Sequence, residues 1–399
     1  MKALQEEKFI EPTDIQNKTI PLILEGKDVI ARSATGSGKT LAFGAGFIDK
    51  MEKGKGVQAM VLCPTRELAE QVGKSLRRFA KHLDARTTEV YGGVAIGPQI
   101  RELQRVEIVV GTPGRILDHL RQRTLDLKGL KTLVLDEADR MLDMGFIQDI
   151  QYIIEACPQK RQTLLFSATI SPDIERIAKR YMISPIFVAV ESYVDPSKLK
   201  QVYYDVPSNK KFSLLVHLLE KEHKGSVMVF CNTRRNADFI VKNLERYGFD
   251  ALAIHGGLNQ NKRSMVMGKF QSSKAQILVC TDVASRGLDI KNVSHIYNYD
   301  LPSVSNDYIH RIGRTARAGK DGIAISIVSN RDYENFRKIL ENDSLKIEEI
   351  LLPEVRTIGV KFQEEEGDRR GGRGGGKRYG RGGGRDRGYG AGKRSFRRR

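Results

Sequence analysis

Ala34-Thr35-Gly36-Ser37-Gly38-Lys39-Thr40 is the stretch that decides the fold of this chain. It follows a short apolar run, residues 29–31, and precedes a segment that can be helical from Lys39 onward. A strand, a tight Gly-rich turn and a helix N-terminus form a phosphate cradle, because the N–H groups of the turn and the helix dipole both favour an anion. Lys39 is placed to reach the β- and γ-phosphates of a nucleotide, and the Thr40 hydroxyl to ligate Mg²⁺. The stretch therefore predicts a nucleotide site; a chance Gly-Ser turn is the alternative.

The loop departs from the full G-x-x-x-x-G-K-[ST] pattern at one position. Ser33 stands where that pattern has its first glycine, and Gly36 supplies flexibility inside the loop instead. The residues that we expect to hold the nucleotide phosphates are Ser33, Ala34, Thr35, Gly36, Ser37, Gly38, Lys39 and Thr40.

Composition limits the kinds of protein that this chain can be. Its 399 residues suit two domains, and its net charge of +18 predicts an anionic partner, either a nucleic acid or an acidic surface. The four cysteines are scattered without a Cys-x-x-Cys pair, which argues against a zinc site or a disulfide framework and fits a reducing compartment. No apolar run approaches the ~20 residues of a membrane span, and the N-terminus lacks a signal-peptide apolar region. We expect a cytoplasmic protein without membrane contacts.

Short apolar runs alternate with longer helical patterns along both halves of the chain. The runs are almost continuously hydrophobic, as expected for strands that are buried on both faces of a parallel sheet. They comprise residues 59–63, 108–110, 132–135, 163–166 and 186–190, and then 227–231, 251–254, 277–280, 296–299 and 323–328. The alternation predicts an α/β fold with two parallel sheets flanked by helices.

Changes in composition mark the boundaries of the domains. A polar, proline-containing linker at residues 191–199 separates a first domain, residues 1–190, from a second domain, residues 200–357. Residues 358–399 form an Arg-Gly-rich tail that cannot bury enough apolar surface to offset chain entropy, so we predict that it is disordered. Its arginines and interleaved aromatic residues suit sequence-tolerant RNA binding, with a solubilising tail as the alternative.

An acidic stretch directly follows one of the buried runs. Residues 132–135 lead into Asp136-Glu137-Ala138-Asp139, which would place carboxylates beside the phosphate loop at the end of a buried strand. Asp136 is suited to hold Mg²⁺, usually through water, and Glu137 to act as the base or water-positioning residue for attack on a γ-phosphate. The alternative is a solvated acidic helix start, where carboxylates also favour the dipole.

With this stretch the chain resembles the DEAD-box RNA helicases, whose signature is Asp-Glu-Ala-Asp and whose other motifs follow here in the family's order. The resemblance covers roughly residues 9–328. It implies two tandem RecA-like domains that use ATP and Mg²⁺. Residues 9–16 resemble the family's Q motif, in which Gln16 would read the adenine edge, Phe9 would stack on the base and Thr13 would support the phosphate loop. The family's aromatic residue further upstream falls before Met1, and we expect weaker ATP affinity and weaker RNA coupling where that contact is missing.

Further matches imply an RNA-binding surface on both domains, where loops and helix starts after strands offer N–H groups and arginine to phosphates. In the first domain the implied contacts are Pro64, Thr65, Arg66, Gly93, Thr112, Pro113, Gly114 and Arg115. In the second domain they are Thr233, Arg234, Gln260, Arg263 and Thr281.

Other matches imply residues that connect the two domains through the nucleotide. Ser167 and Thr169 resemble the Ser-Ala-Thr motif that links ATP state to strand separation, and the resemblance adds Asp139 and His310 to this coupling group. Gly287 and Asp289 fall in a motif that touches both RNA and ATP, with Asp289 near the ribose. Arg314 and Arg317 match the arginine fingers, whose guanidinium groups suit the charge on the γ-phosphate oxygens. Without the other motifs, residues 310–317 could equally be a basic helix on a solvated face. Ala316 stands where the family commonly has glycine.

The implied function is an RNA-dependent ATPase that locally separates RNA duplexes. The catalytic residues would be Lys39, Asp136, Glu137, Arg314 and Arg317, so neither domain alone would have a complete site. ATP and RNA would bind across the cleft between the domains and close it. We expect a monomer that binds single-stranded RNA and short duplexes with little sequence preference, because the contacts would be to sugar and phosphate. The alternatives are a DNA helicase of the same superfamily and an ATP-gated RNA clamp or annealing chaperone.

Overall fold

The computed structural model describes most of the chain up to Lys361. The described residues are 2–7, 11–33, 36–83, 85–190, 199–222, 225–285, 290, 293–316, 321–343 and 345–361. The predictions for the tail beyond residue 361 and for linker residues 191–198 lie outside these residues. So do those for Phe9, Ala34, Thr35, Gly287, Asp289 and Arg317. Residues 1–361 form one compact unit that contains two seven-stranded parallel sheets, which confirms the predicted fold class.

The first sheet is built from the first half of the chain. Its strands are β1 (Val29–Arg32), β2 (Ala59–Leu62), β3 (Thr87–Val90), β4 (Ile108–Gly111), β5 (Thr132–Asp136), β6 (Gln162–Ser167) and β7 (Ile186–Ala189). Their order is β3-β4-β2-β5-β6-β1-β7, with every pairing parallel. The helices are α1 (Lys2–Glu6), α2 (Asp14–Leu24), α3 (Lys39–Phe47), α4 (Arg66–Phe79), α5 (Ile96–Leu103), α6 (Pro113–Arg121), α7 (Ala138–Asp143), α8 (Ile147–Ala156) and α9 (Pro172–Tyr181).

Both faces of this sheet are covered by helices, and this explains why its strands are continuously apolar. In β2, Met60 and Leu62 belong to one buried cluster, whereas Ala59 and Val61 belong to the cluster on the opposite face. Successive side chains of a strand point to opposite faces, so a strand with no polar position must be buried on both. The strand β3 lies at the sheet edge and has the sequence Thr-Thr-Glu-Val, and its polar residues kept it out of the sequence prediction.

The second sheet repeats this architecture. Its strands are β8 (Leu199–Asp205), β9 (Ser226–Phe230), β10 (Ala251–Ile254), β11 (Ile277–Cys280), β12 (Val293–Asn298), β13 (Gly322–Val328) and β14 (Glu348–Glu349), in the order β10-β11-β9-β12-β13-β8-β14. The helices are α10 (Lys211–Glu222), α11 (Arg234–Arg246), α12 (Gln260–Gln271), α13 (Asp282–Ser285), α14 (Ser305–Ile312) and α15 (Tyr333–Leu340). Short 3₁₀ turns at Ile48–Lys50 and Ser208–Lys210 complete the elements of the two domains.

Two boundaries differ from those expected. Leu199, assigned to the linker, begins β8 and pairs with Gly322 of β13. Residues 358–361, assigned to the disordered tail, lie against the second domain instead. Ile358 packs on the apolar core there and donates its N–H to Ser213 Oγ at 3.2 Å, and Lys361 donates its N–H to Asn243 Oδ1 at 2.8 Å. Apolar residues near the start of the supposed tail therefore attach it to the domain.

The motifs of the first domain share one edge of its sheet. The phosphate loop follows β1, the acidic stretch ends β5 and Ser167 ends β6, while the RNA-related matches follow β2, β3 and β4. In open parallel sheets, ligands bind beside the carboxyl ends of the strands, so the fold collects these residues in one place. Among the described helices, none combines the length and the apolar character that crossing a membrane requires.

Candidate functional site

The phosphate loop turns sharply between β1 and α3. Ser33 is buried, donates its N–H to Ser167 O at 2.9 Å and accepts a hydrogen bond from Ser37 Oγ at 3.3 Å. Gly36 and Gly38 have φ of 84° and 94°, in the left-handed region that favours glycine, and Gly38 is the N-cap of α3. Serine thus replaces the first glycine of the common pattern at a position where its hydroxyl has a partner within the loop.

Two side chains of the Q-like segment hold this loop from outside. Thr13 Oγ1 donates to Ser37 O at 2.8 Å, and Gln16 Nε2 donates to Gly38 O at 3.0 Å. The other end of the Gln16 amide accepts from the Thr13 N–H at 3.0 Å. The sequence assigned support of the loop to Thr13 alone, and the structure adds Gln16, whose side chain is enclosed between the segment and the loop.

A buried cation and two buried carboxylates face one another beyond the loop. Lys39 Nζ lies 3.9 Å from Asp136 Oδ1, and both side chains are almost fully buried. Within the described part of the chain, Lys39 Nζ, Asp136 Oδ1 and Glu137 Oε1 have no hydrogen-bond partner although each atom is buried. Buried polar atoms without partners are costly, and such atoms gathered at a phosphate cradle indicate a polar ligand.

These residues fit a magnesium–nucleotide complex. Thr40, in the first turn of α3, offers a hydroxyl, and Asp136 offers a free carboxylate oxygen. Across the described residues, no group of three or more His, Cys, Asp and Glu side chains could hold a metal ion. Mg²⁺ is commonly bound by one or two protein oxygens together with phosphate oxygens and water.

The two adjacent carboxylates have pKa values that move in opposite directions. Burial raises the pKa of Asp136 to about 6 against the opposing charge of Lys39. Burial acts in the same direction on Glu137, but the charges of Arg140, Lys39 and Arg314 outweigh it and lower its pKa below the usual value. Glu137 is therefore ionised at neutral pH, as a base or water-positioning residue must be.

Arg140 is a residue of this site that the sequence analysis did not find. Its guanidinium donates to Glu137 Oε2 at 2.8 Å, and the two side chains are 2% and 4% exposed. Glu137 itself has φ of 52°, a left-handed conformation at the N-cap of α7. A sequence signal existed, because an arginine three residues after a glutamate at a helix start can reach back to it.

The Ser-Ala-Thr motif is hydrogen-bonded to the acidic stretch. Asp139 Oδ2 accepts from the Ala168 N–H at 3.1 Å, from the Thr169 N–H at 2.9 Å and from Thr169 Oγ1 at 3.1 Å. In return, the Asp139 N–H donates to Ser167 Oγ at 3.1 Å. The structure thus joins Ser167, Thr169 and Asp139 by hydrogen bonds at the carboxyl ends of β5 and β6.

Two residues of the second domain reach this acidic group. Arg314 is buried, and its charge helps to lower the pKa of Glu137. Burial, followed by the charge of Arg140, lowers the pKa of His310 to about 4, while Asp139 opposes the shift. Arg314 and His310 are therefore close enough to the acidic stretch to interact with it electrostatically.

Arg311 is a second residue that the sequence analysis left unassigned. It donates to both carboxylate oxygens of Asp282 at 2.6 Å, to Asp300 O at 2.6 Å and to Asn232 Oδ1 at 3.1 Å. Three segments of the second domain are thereby fixed around one buried guanidinium. The position of Arg311 next to His310 in the motif was a sequence signal for a role in the site. The sequence could not show, however, whether the Arg311 side chain points into the domain.

The predicted RNA contacts of the first domain lie beyond the carboxyl ends of β2, β3 and β4. Thr65 Oγ1 caps α4 by accepting from the Leu68 N–H, and the Arg66 guanidinium lies so close to Gly93 that a Cβ there would collide with it. Thr112, Pro113 and Gly114 form the start of α6, and Arg115 follows them in its first turn. Arg115 donates to Gln99 Oε1 at 3.2 Å and to Val94 O at 3.1 Å.

One residue predicted to contact RNA forms an ion pair between the two domains. Arg263 Nε lies 2.9 Å from Glu67 Oε1 of the first domain, with the two side chains 14% and 12% exposed. Arg263 also donates to Ala284 O at 3.3 Å. The contact of Arg263 with RNA stays a prediction; in the structure its guanidinium pairs with the Glu67 carboxylate of the first domain.

The other predicted contacts of the second domain stand at helix starts and strand ends. Gln260 begins α12, and both atoms of its amide are buried without a partner among the residues that the structure describes. Thr233 Oγ1 caps α11 by accepting from the Asn236 N–H at 3.1 Å, and Arg234 lies next to Gly256. Thr281 follows β11 and is buried. Gln260 thus has the unused hydrogen-bonding groups that a ligand contact requires.

Comparisons with known proteins agree with this arrangement. Residues 13–177 match the family model "DEAD/DEAH box helicase", and residues 210–319 match "Helicase conserved C-terminal domain". The ATP-dependent RNA helicase CshA of Listeria monocytogenes is 46% identical over 375 residues, which are 91% of this chain and 72% of that protein. The DEAD-box ATP-dependent RNA helicase CshA of Geobacillus kaustophilus is 45% identical over 356 residues, 88% of this chain and 76% of that protein.

Solved structures give the same result for the arrangement of the domains. Saccharomyces cerevisiae Dbp5 bound to RNA and ADP BeF3 superposes with a TM-score of 0.79 at 30% identity, over 88% of this chain and 92% of that chain. Mss116p bound to ssRNA and AMP-PNP superposes with a TM-score of 0.78 at 29% identity, over 88% of this chain and 77% of that chain. The matched motifs, the sequence identities and the shared two-domain structure show that this chain belongs to the DEAD-box family of ATP-dependent RNA helicases.

Proposed function

We propose that this chain hydrolyses ATP in response to RNA and couples hydrolysis to closure of its two domains. Closure would separate short RNA duplexes locally and with little dependence on sequence. The observation that carries this proposal is the position of Arg314. Arg314 comes from the second domain, and its charge lowers the pKa of Glu137 in the first domain. The catalytic group is therefore complete only when the domains meet.

Each part of the nucleotide has a set of residues suited to it. The loop from Ser33 to Ser37 and the Lys39 ammonium would hold the phosphates, and Thr40 with Asp136 would hold Mg²⁺, which when bound neutralises phosphate charge. The buried atoms Lys39 Nζ and Asp136 Oδ1, which have no hydrogen-bond partner among the described residues, support this assignment. Phe9, Gln16, Gly287 and Asp289 remain the residues expected at the adenine and the ribose.

The chemistry falls to residues of both domains. Glu137, ionised and with one free oxygen, would orient the attacking water, and Arg314 with Arg317 would stabilise charge on the γ-phosphate oxygens in the transition state. The hydrogen bonds between Asp139 and residues 167–169 would couple the nucleotide that is bound at this site to the RNA-binding loops. His310 would be the contact from the second domain.

RNA would lie along loops of both domains. The positions of Arg66, Gly93 and Arg115 are evidence for the part of that surface on the first domain. Gln260, whose buried amide has no hydrogen-bond partner among the described residues, is evidence for the part on the second domain. Contacts from such groups to sugar and phosphate carry little sequence information. We further infer a monomer, and the four free cysteines are consistent with a reducing, cytoplasmic setting.

The test is Glu137→Gln, which keeps the size of the side chain and removes its charge. We expect RNA-stimulated ATP turnover to fall by about 10²-fold or more, with ATP and RNA affinity retained, because the base contributes to the chemical step and not to ground-state binding. Glu155→Gln, which changes an exposed carboxylate of α8 that is paired with Arg180, is the matched control.

Steady-state ATPase, equilibrium RNA binding and duplex separation are measured on both variants. Wild-type turnover in Glu137→Gln would refute the role of Glu137. Equal stimulation by RNA and by DNA of the same sequence would refute RNA as the specific activator.

A further inference from the structure

The two carboxylate oxygens of Glu137 have different surroundings. Oε2 accepts from Arg140 at 2.8 Å, whereas Oε1 is buried and has no hydrogen-bond partner in the described part of the protein. The charged groups around this carboxylate are Lys39 from α3, Asp136 from β5, Asp139 and Arg140 from α7, and Arg314 from the second domain. Only one oxygen of Glu137 is therefore free to act on a bound molecule.

Arg140 is itself held firmly. It lies in the first turn of α7, where its N–H donates to Glu137 O at 3.1 Å and to Asp139 Oδ1 at 3.0 Å. Its side chain is among the largest that are fully buried in the described residues. Burying a guanidinium has a large desolvation penalty, and well-packed apolar residues often stabilise a fold as well as a buried ion pair does. Stability alone is therefore a weak reason for an arginine at this position.

We propose that Arg140 is a positioning residue for ATP hydrolysis, which fixes Oε2 of Glu137 so that Oε1 faces the attacking water. The proposal rests on the proposed role of Glu137 as the water-positioning base. Without Arg140, the carboxylate would be free to rotate toward Lys39 or Arg314, both of which attract it. Oε1 would then leave the position that the reaction requires.

Arg140 takes no part in bond making. In the reaction, the water oxygen forms a bond to the γ-phosphorus while the bond from that phosphorus to the bridging oxygen breaks, and the electron pair of the broken bond leaves with ADP. Glu137 Oε1 accepts the water proton, and Arg140 remains protonated throughout. Its effect is therefore confined to geometry, and displacement of a reacting group by about 1 Å can cost about 10²-fold in rate.

The test combines variants of the two residues in the full chain. Arg140→Gln should lower kcat of the RNA-stimulated ATPase by about 10- to 100-fold and leave the KM values for ATP and RNA within about twofold. Arg140→Lys should recover part of kcat, because an ammonium can still donate to Oε2. In the Glu137→Gln background, Arg140→Gln should cause no further loss in single-turnover phosphate release, because Arg140 acts through the charged carboxylate.

Arg180→Gln, which removes an exposed arginine paired with Glu155, is the control for loss of an ion pair and should keep wild-type kcat. An equal fold-loss from Arg140→Gln in both backgrounds would overturn the proposal. So would a rise in KM at constant kcat, or a kcat for Arg140→Lys as low as that for Arg140→Gln. If Arg140→Gln does not fold, Arg140→Lys is compared in the two backgrounds: a fold-loss seen only when Glu137 is present supports the proposal, and an equal fold-loss in both overturns it. Wild-type turnover in Glu137→Gln would instead refute the proposed role of Glu137, which is a separate result.

Discussion

At the scale of single residues, left-handed backbone recurs at positions that the site depends on. Gly36 and Gly38 turn the phosphate loop, and Glu137 adopts φ of 52° where a strand becomes a helix. Ala316 also has φ of 53°, a conformation that favours glycine, which is the residue that the resemblance implied at this position. A residue with a side chain in this conformation costs about 1–2 kcal/mol, so Glu137 is held there by its surroundings.

Gly38→Ala tests this dependence in the loop. A Cβ at Gly38 would collide with the Gln16 amide, in addition to the strain at φ of 94°. We expect KM for ATP to rise about tenfold or more and stability to fall by about 1–2 kcal/mol, because the loop and the Q-like segment must separate. ATPase kinetics and thermal unfolding measure the two effects.

The control for this variant is Gly26→Ala. Gly26 also has positive φ, 80°, but a Cβ there meets no atom within 4 Å. It should lose similar stability and keep the wild-type KM for ATP. A raised KM in both variants would show that general destabilisation, and not the contact with Gln16, is responsible.

At the scale of elements, one buried cluster fixes the RNA-related loops of the first domain to each other. Gln99 of α5 accepts from Arg115 of α6 and donates to Tyr91 O at 3.1 Å, just before the glycine loop. His119 Nε2 lies 3.2 Å from the same Gln99 oxygen, and burial, followed by the charge of Arg115, lowers the pKa of His119. A neutral His119 must then donate from Nε2, and the cluster joins two helices and a loop.

Gln99→Leu should weaken RNA binding without affecting the nucleotide site. It leaves buried groups of Arg115 and His119 unpaired, at a cost of about 1–3 kcal/mol, and frees the loop after β3. We expect an RNA dissociation constant about tenfold higher, measured by fluorescence anisotropy, and an unchanged ATP affinity of the free protein. Gln104→Leu, at an exposed position at the end of α5, should change neither. An unchanged RNA affinity in Gln99→Leu would exclude the supporting role of the cluster.

At the scale of the molecule, the two domains meet through an ion pair. The pair of Arg263 with Glu67 is mostly shielded from solvent, so it can contribute to closure. We predict that Arg263→Glu and Glu67→Arg will each lower the ATPase rate at limiting RNA concentration, and that the double variant will recover about 1 kcal/mol of the loss.

The double-mutant cycle distinguishes two roles for Arg263. If Arg263 binds RNA directly, as its motif implied, reversing both charges restores nothing. The same reversal at the exposed pair of Lys338 with Glu334 is the control, and it should have no effect on ATPase rate in single or double variants.

The sequence was most informative where a residue's role follows from its neighbours along the chain. The phosphate loop could be found because it directly follows a buried strand, and Asp136 because it directly follows an apolar run. The two sheets could be found because such runs recur between helices. Arg140, Arg311 and the partner of Arg263 could not be assigned in this way. Which anion a guanidinium meets depends on segments that are far apart in the chain, as with Arg263 and Glu67.

The placement of Glu137 and Arg314 on different domains has a thermodynamic consequence. If RNA and ATP both favour the arrangement in which these residues meet, their binding free energies are coupled, and the coupling must be reciprocal. Any factor by which RNA tightens ATP binding is also the factor by which ATP tightens RNA binding. Conversion of ATP to ADP removes the γ-phosphate, which we propose that Arg314 stabilises, and would so reduce that factor. Release of RNA after each turnover then follows from the equilibrium itself and requires no additional signal.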